Sequence, residues 1–138
     1  MTTETVSPAP AEVRSGVAPY LIVENSVTAA EFYKKALNAT VASLLPSENG
    51  KTMHCHLYVN GGSLMMSDAF PEHGHPWEAP AGFNLHLQVT DIESWYKRAT
   101  DAGMTIVLPL QKMFWGDFYA QVKDPFGVIW TMGETPKA

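Results

Sequence analysis

The sequence predicts an α+β fold made of two consecutive βαβββ modules, and three observations carry that prediction. A helical motif recurs: Phe32-Tyr33-Lys34-Lys35-Ala36 returns 63 residues later as Trp95-Tyr96-Lys97-Arg98-Ala99. Both copies follow a strand-like run ending in Val-x-(Asn/Asp), at Val23 and at Val89. Both are followed by three short segments of strand character, separated by turn signals. A module of roughly 55 to 60 residues is too small to bury an adequate core by itself, so two copies are expected to pack together.

Val17 to Glu24 reads as the first strand. Asn25 and Ser26 are N-cap types, and Thr28 with Glu31 offers a capping box one step later. The helix then runs to about Leu37, with Ala30, Tyr33, Ala36 and Leu37 on one face and Asn38 at the left-handed C′ position. Val41–Leu45, Met53–Val59 and Ser63–Ser67 are the next strands, and Asn60-Gly61 is a hairpin turn signal. Residues 70–81 are proline-rich, lack periodicity and read as a linker or a loop. The pattern restarts with strand Phe83–Thr90 and Asp91 as N-cap. Ile92, Trp95, Tyr96 and Ala99 form a helical stripe, Gly103 stops the helix, and Thr105–Leu108 is a strand.

The stretch from Leu108 to Met132 reads as a loop, a strand, a tight turn and a strand. Asp124-Pro125-Phe126-Gly127 is the turn, because Pro125 pre-sets φ and Gly127 accepts a positive φ. Phe118, Ala120 and Val122 alternate with Asp117, Tyr119, Gln121 and Lys123, and Val128–Met132 is the return strand. Phe114 and Trp115 precede this hairpin. They are either core aromatics or the lid of a pocket.

The chain has 138 residues, a hydrophobic fraction of 46% and a net charge of −5. Residues 1–13 read as a disordered tail. A single domain is expected over 14–138, with modules 17–69 and 82–134 joined by the linker 70–81. No apolar run approaches the roughly 20 residues of a membrane span, and the N-terminus lacks signal-peptide character. The single cysteine excludes an intrachain disulfide and fits the cytoplasm. Lys and Arg form no basic footprint, so nucleic acid is set aside.

Alternation sorts the strands into faces. Phe83, Leu85, Leu87 and Val89 are expected under the helices, leaving Asn84, His86 and Gln88 opposite. Met53, Cys55, Leu57 and Val59 oppose His54, His56 and Tyr58. Tyr119 and Gln121 oppose Phe118, Ala120 and Val122. Polar sheet faces are commonly just solvated. These, however, hold His, Tyr, Asn and Gln in place of Lys and Glu, which points to a semi-enclosed site with hydrogen-bonding groups and aromatic walls. Cys55 falls on the helix side and reads as a structural thiol.

Pro19-Tyr20-Leu21, Phe32-Tyr33-Lys34-Lys35-Ala36-Leu37, Leu64-Met65-Met66-Ser67-Asp68, Pro109-Leu110-Gln111, Phe114-Trp115-Gly116 and Asp124-Pro125-Phe126-Gly127 together resemble the vicinal oxygen chelate superfamily (glyoxalase I, extradiol dioxygenases, bleomycin-resistance proteins), and within it the PhnB-like branch. The resemblance implies paired modules forming a curled, incomplete-barrel sheet with helices outside, and two associating chains, hence a homodimer. With alternation, it adds Tyr20, Met65, Ser67 and Thr131 to the cleft. Some PhnB-like chains carry a methyltransferase label, but no Gly-rich nucleotide loop supports it here.

Glyoxalase-type members bind a divalent ion through His and Glu from the first and last strands of each module. Alignment on the resemblance puts Ala18, Met65, Asn84 and Thr131 there. Ala has no donor, Met is soft, and Asn and Thr bind hard ions weakly. The expectation is therefore no metal and no cofactor. His54, His56 and His86 are the imidazoles that a relocated zinc would use, but no carboxylate is placed to complete such a site. Two functions follow. One is a binding protein that holds a small, partly aromatic molecule with Tyr20, His54, Tyr58, Met65, Ser67, Asn84, Gln88, Trp115, Tyr119, Gln121 and Thr131. The other is an enzyme, metal-free or with a relocated metal, in which His86 or His56 is the general base on a small carbonyl-type substrate. A third reading is an interaction subunit with a vestigial cleft.

Overall fold

The structure, a computed structural model, describes residues 10–47 and 49–137. It is α+β, with two βαβββ modules and two four-stranded mixed sheets. The chain divides into two compact units, Met1–Lys34 with Asn38–Glu78 and Lys35–Leu37 with Ala79–Ala138.

The first unit holds β1 (Tyr20–Val23), α1 (Ser26–Leu37) up to Lys34, β2 (Thr40–Pro46), β3 (Thr52–Val59) and β4 (Gly62–Asp68). Its sheet order is β1-β4-β3-β2, with β1 and β4 parallel and the other pairs antiparallel. A parallel pair needs a long crossover, and α1 with the β2–β3 hairpin supplies it. Leu21, Val23, Cys55, Leu57, Val59, Leu64 and Met66 are buried, as strand alternation requires of one sheet face. Met53 departs from its expected place in that set and is 54% exposed.

At the start of α1 the structure takes the first of the caps the sequence offers, Asn25, and not the box at Thr28 and Glu31. Asn25 Oδ1 accepts from Thr28 N at 3.0 Å, so Asn25 is the cap and Thr28 already lies inside the helix. Such a cap stabilises a helix by about 1 kcal/mol. Asn38 ends α1 with φ 53° and ψ 35°, the left-handed conformation that asparagine tolerates. Asn60 and Gly61 also take positive φ, at 50° and 83°, and make the two-residue β3–β4 turn.

The second unit holds β5 (Leu85–Gln88), α2 (Ile92–Asp101), β6 (Thr105–Lys112), β7 (Phe118–Lys123) and β8 (Ile129–Glu134), in the order β5-β8-β7-β6. Again the first and last strands are parallel. Strand β5 is shorter than expected, so Phe83 and Asn84 precede it, and Phe83 is exposed. Strand β6 continues past Leu108 to Lys112, where a loop was expected. Asp91 makes no side-chain cap, and Glu134 Oε1 instead accepts from Ile92 N at 3.0 Å.

Between β7 and β8, the buried carboxylate of Asp124 organises the turn. Its Oδ1 accepts from Phe126 N and Val128 N, and its Oδ2 accepts from the indole Nε1 of Trp130, all at 2.9 Å. Trp130 is itself buried, so the turn is fastened to the core of its unit. Asp124→Ala would leave these donors without their acceptor. It is expected to lower stability by about 3 kcal/mol in urea denaturation. A loss below about 1 kcal/mol would show that the turn holds without this carboxylate.

Candidate functional site

The polar face of the second unit is built across β5, β8 and β7. His86 pairs in register with Thr131, Thr131 with Gln121, and Tyr119 with Gly133. His86 Nδ1 lies 2.6 Å from Thr131 Oγ1, and His86 Nε2 lies 2.9 Å from Gln88 Oε1. The Gln88 amide nitrogen donates to Thr135 Oγ1 at 3.1 Å, which turns its oxygen toward the ring. The Gln88 carbonyl oxygen can accept from Nε2–H, and the Thr131 hydroxyl can donate to Nδ1 or accept from it. Both ring nitrogens are thereby engaged, and the imidazole is fixed in orientation.

Gly133 makes room for that arrangement. A Cβ at this position would stand 2.9 Å from His86 Cε1 and 3.0 Å from Gln88 Oε1. Further along the face, Gln121 Nε2 donates to Tyr119 Oη at 3.1 Å. The Trp115 ring lies 6.1 Å from that of Tyr119, edge-on, and Phe114 packs edge-on against Trp115 at 5.0 Å. The tight β6–β7 turn is closed by Gly116 N donating to Met113 O and by Gly116 at φ 102°. Phe114 is 95% exposed and Trp115 is 51% exposed, so neither is a core aromatic of its unit. Asn84 is exposed and lies before β5.

The first unit's polar face carries Tyr20, His54, His56, Tyr58, Ser63, Met65 and Ser67. Tyr20 pairs with Met65, and Met65 with His56. Tyr20 Oη lies 3.1 Å from His54 Nδ1. His56 is only 1% exposed and contacts Ser63 Oγ through Nε2 at 2.7 Å. Tyr58 donates its hydroxyl to Glu12 O at 2.7 Å, and the Arg14 guanidinium lies 3.6 Å from its ring centroid. Within the stretch read as a tail, Glu12 thus meets Tyr58; residues 1–9 lie outside the described residues. Ser67 and Ile22 border a groove of about 480 Å³ that reaches Phe70, His75 and Glu78. Phe70 and His75 are bridged around a short 3-10 turn, Pro71–His73, where a linker or a loop was expected.

Sequence reasoning did not pick out Ser63, Gly133 or Arg14. Alternation could have found Ser63, which shares a strand face with Met65 and Ser67. Cys55 is buried, and burial followed by the nearby Asp68 charge pushes its thiol up to about 11, as suits a structural cysteine. Among the described residues no three His, Cys, Asp or Glu side chains gather as a metal site. The four positions given by the resemblance do not fit a hard divalent ion. Ala18 and Met65 offer no oxygen or imidazole donor in the first unit, and Thr131 Oγ1 in the second is taken up by His86.

Burial, followed by the charges of His54 and Arg14, lowers the pKa of His56. Ser63 Oγ accepts from Arg14 N at 2.8 Å, so its own hydrogen is available to a neutral His56 Nε2. The unfolded chain protonates this imidazole near its ordinary value of about 6.5, whereas the folded chain does so only at lower pH. The unfolded state binds more protons in that window, and stability therefore falls as pH drops from about 6.5 through the depressed value. Urea midpoints should fall over that range, and His56→Gln should fall less steeply. An identical slope in His56→Gln would remove His56 as the cause.

With this geometry in hand, comparisons with known proteins are informative. An uncharacterized protein of Mycobacterium bovis, Mb0911c, is 35% identical over 128 residues, covering 88% of this chain and 84% of its own. The crystal structure of protein PA1353 from Pseudomonas aeruginosa superposes with a TM-score of 0.73 at 28% identity, covering 88% of this chain and 98% of its own. The PhnB protein from Bacillus cereus, described as a putative 3-demethylubiquinone-9 3-methyltransferase, gives 0.68 at 20% identity, covering 88% and 100%, and at that identity shows the fold alone. The sequence model of one family matches residues 16–132, and by that match the chain belongs to the Glyoxalase/Bleomycin resistance protein/Dioxygenase superfamily.

Proposed function

We propose that this chain is a small-molecule-binding member of the superfamily, of its PhnB-like branch, and that it takes a partly aromatic ligand on its polar sheet faces. The observation carrying this reading is the row Trp115, Tyr119, Gln121, Thr131, His86 and Gln88. It joins an aromatic wall to hydrogen-bonding groups already held in place. Tyr20, His54, Met65 and Ser67 offer a comparable set in the first unit. The branch assignment rests on the sequence motifs around Leu64–Asp68 and Phe114–Gly116.

The enzymatic reading, with His86 or His56 as general base, has less support. His56 is buried against Ser63, and both ring nitrogens of His86 already have hydrogen-bond partners within the protein. The single buried cysteine supports placing the protein in the cytoplasm. Among the described residues no helix is long and apolar enough to cross a membrane.

A thermal-shift screen of aromatic small molecules, run with and without divalent metals, tests the function. Binding is expected without metal. For a ligand so found, Trp115→Ala and His86→Ala should weaken affinity by about 30-fold, since losing an aromatic anchor costs about 2 kcal/mol. Stabilisation only when metal is added, or unchanged affinity in both variants, would sink the proposal.

We also propose a homodimer. Strand β6 ends its sheet with an unpaired outer edge, and Ile106, Val107 and Phe114 are exposed along it and at its tip. Sedimentation at micromolar concentration should give twice the mass of the chain. A stable monomer would refute this.

A further inference from the structure

We infer that Glu12–Ser15 is a displaceable strap closing the first unit's polar face over His56. The inference rests on reading that face as a ligand surface. The contacts form one connected patch. Tyr58 Oη donates to Glu12 O at 2.7 Å, and the Arg14 guanidinium stacks on the Tyr58 ring at 3.6 Å. Arg14 N donates to Ser63 Oγ at 2.8 Å, and Ser63 N donates to Arg14 O at 3.4 Å. Ser63 Oγ is also the partner of His56 Nε2. The strap therefore lies on Tyr58 and Ser63, the two groups that flank His56. His56 is buried, while Tyr20 at the other side of the same face is exposed.

The strap is fastened lightly. It belongs to no helix or strand, and Glu12, Val13, Arg14 and Ser15 are all exposed. Segments with few buried contacts open at a small cost in free energy. Ser15 is held at φ 85°, a left-handed value uncommon for serine, and Gly16 follows it. Opening would relieve that backbone and has a natural hinge beside it. A ligand that stacks on Tyr58 or bonds Ser63 has to displace Arg14 first. The strap's own chemistry indicates what can compete, namely a planar ring or a cation that Tyr58 can accept on its face.

Carbethoxylation of the full-length protein by diethyl pyrocarbonate at pH 7, resolved by residue with mass spectrometry, reads the strap directly and needs no ligand. It therefore stands or falls separately from the binding proposal. In the wild type, His56 should react much more slowly than His86. In Arg14→Ala, where the cation–π contact is lost, His56 should react about fivefold faster while His86 is unchanged. Arg14→Lys retains a cation for the Tyr58 ring and should stay close to the wild type. Equal His56 rates in wild type and Arg14→Ala would overturn the inference. So would a matching acceleration at His86, which would mark a general loosening of the chain.

Discussion

In each unit a carboxylate from the last strand holds the first N–H of the helix, and the rest of the module depends on that bond. Asp68 Oδ1 accepts from Ser26 N at 2.7 Å, and Glu134 Oε1 accepts from Ile92 N at 3.0 Å. The first N–H groups of a helix have no partner within it, and a negative charge there is favoured by the helix dipole. The bond joins the start of the crossover to the end of the strand that the crossover must reach. Asp68 does more than its counterpart, because its Oδ2 also accepts from Thr52 N, at the start of β3. One buried side chain thus ties three elements of the first unit together. Its charge is also felt at Cys55, where it adds to burial in keeping the thiol protonated.

With the parallel pair fixed, its register decides what the polar face displays. Tyr20 faces Met65 in the first unit, and His86 faces Thr131 at the corresponding place in the second. The backbone frame is repeated, while the chemistry set in it differs. A phenol and a thioether stand side by side in one, and a hydrogen-bonded imidazole and hydroxyl in the other. Ser67 and Gly133 also correspond. Only glycine admits the close approach of the His86 ring and the Gln88 carbonyl to the strand beneath them. The glycine and the clamped imidazole therefore belong to one arrangement and would be expected to change together.

The elements were legible because their signals are local. Period 2 gave the faces of β3 and β7, and Asn38 and Asn60-Gly61 gave a helix end and a hairpin. What escaped depends on partners distant in sequence. The real contact at the start of α2 comes from Glu134, 42 residues away, so Asp91 looked like the cap. Strand β6 runs past Leu108 although Pro109 cannot donate to a ladder. At a sheet edge that missing N–H costs little, and the strand runs on through an irregular register. The segment before Gly16 has the composition of a free tail, and its docking rests on Tyr58 and Ser63, more than forty residues on. Of the candidate site, alternation revealed which residues share a face. It could not reveal that His56 is buried or that both nitrogens of His86 are engaged.

Family membership fixes the frame more firmly than the reaction. The positions where glyoxalase-type members, on the resemblance, carry metal ligands hold Ala18, Met65, Asn84 and Thr131 here. The Thr131 hydroxyl is hydrogen-bonded to the His86 imidazole. Positioning has a physical consequence even without a reaction. A His86 clamped between Thr131 and Gln88, with Tyr119 and Gln121 bonded to each other nearby, has little side-chain freedom left to lose were the face to take up a molecule. Ordering side chains on binding costs roughly 0.5 to 1.5 kcal/mol each, and prior ordering avoids that cost. What the chain sets at this place lies in the partners of His86 as much as in His86 itself.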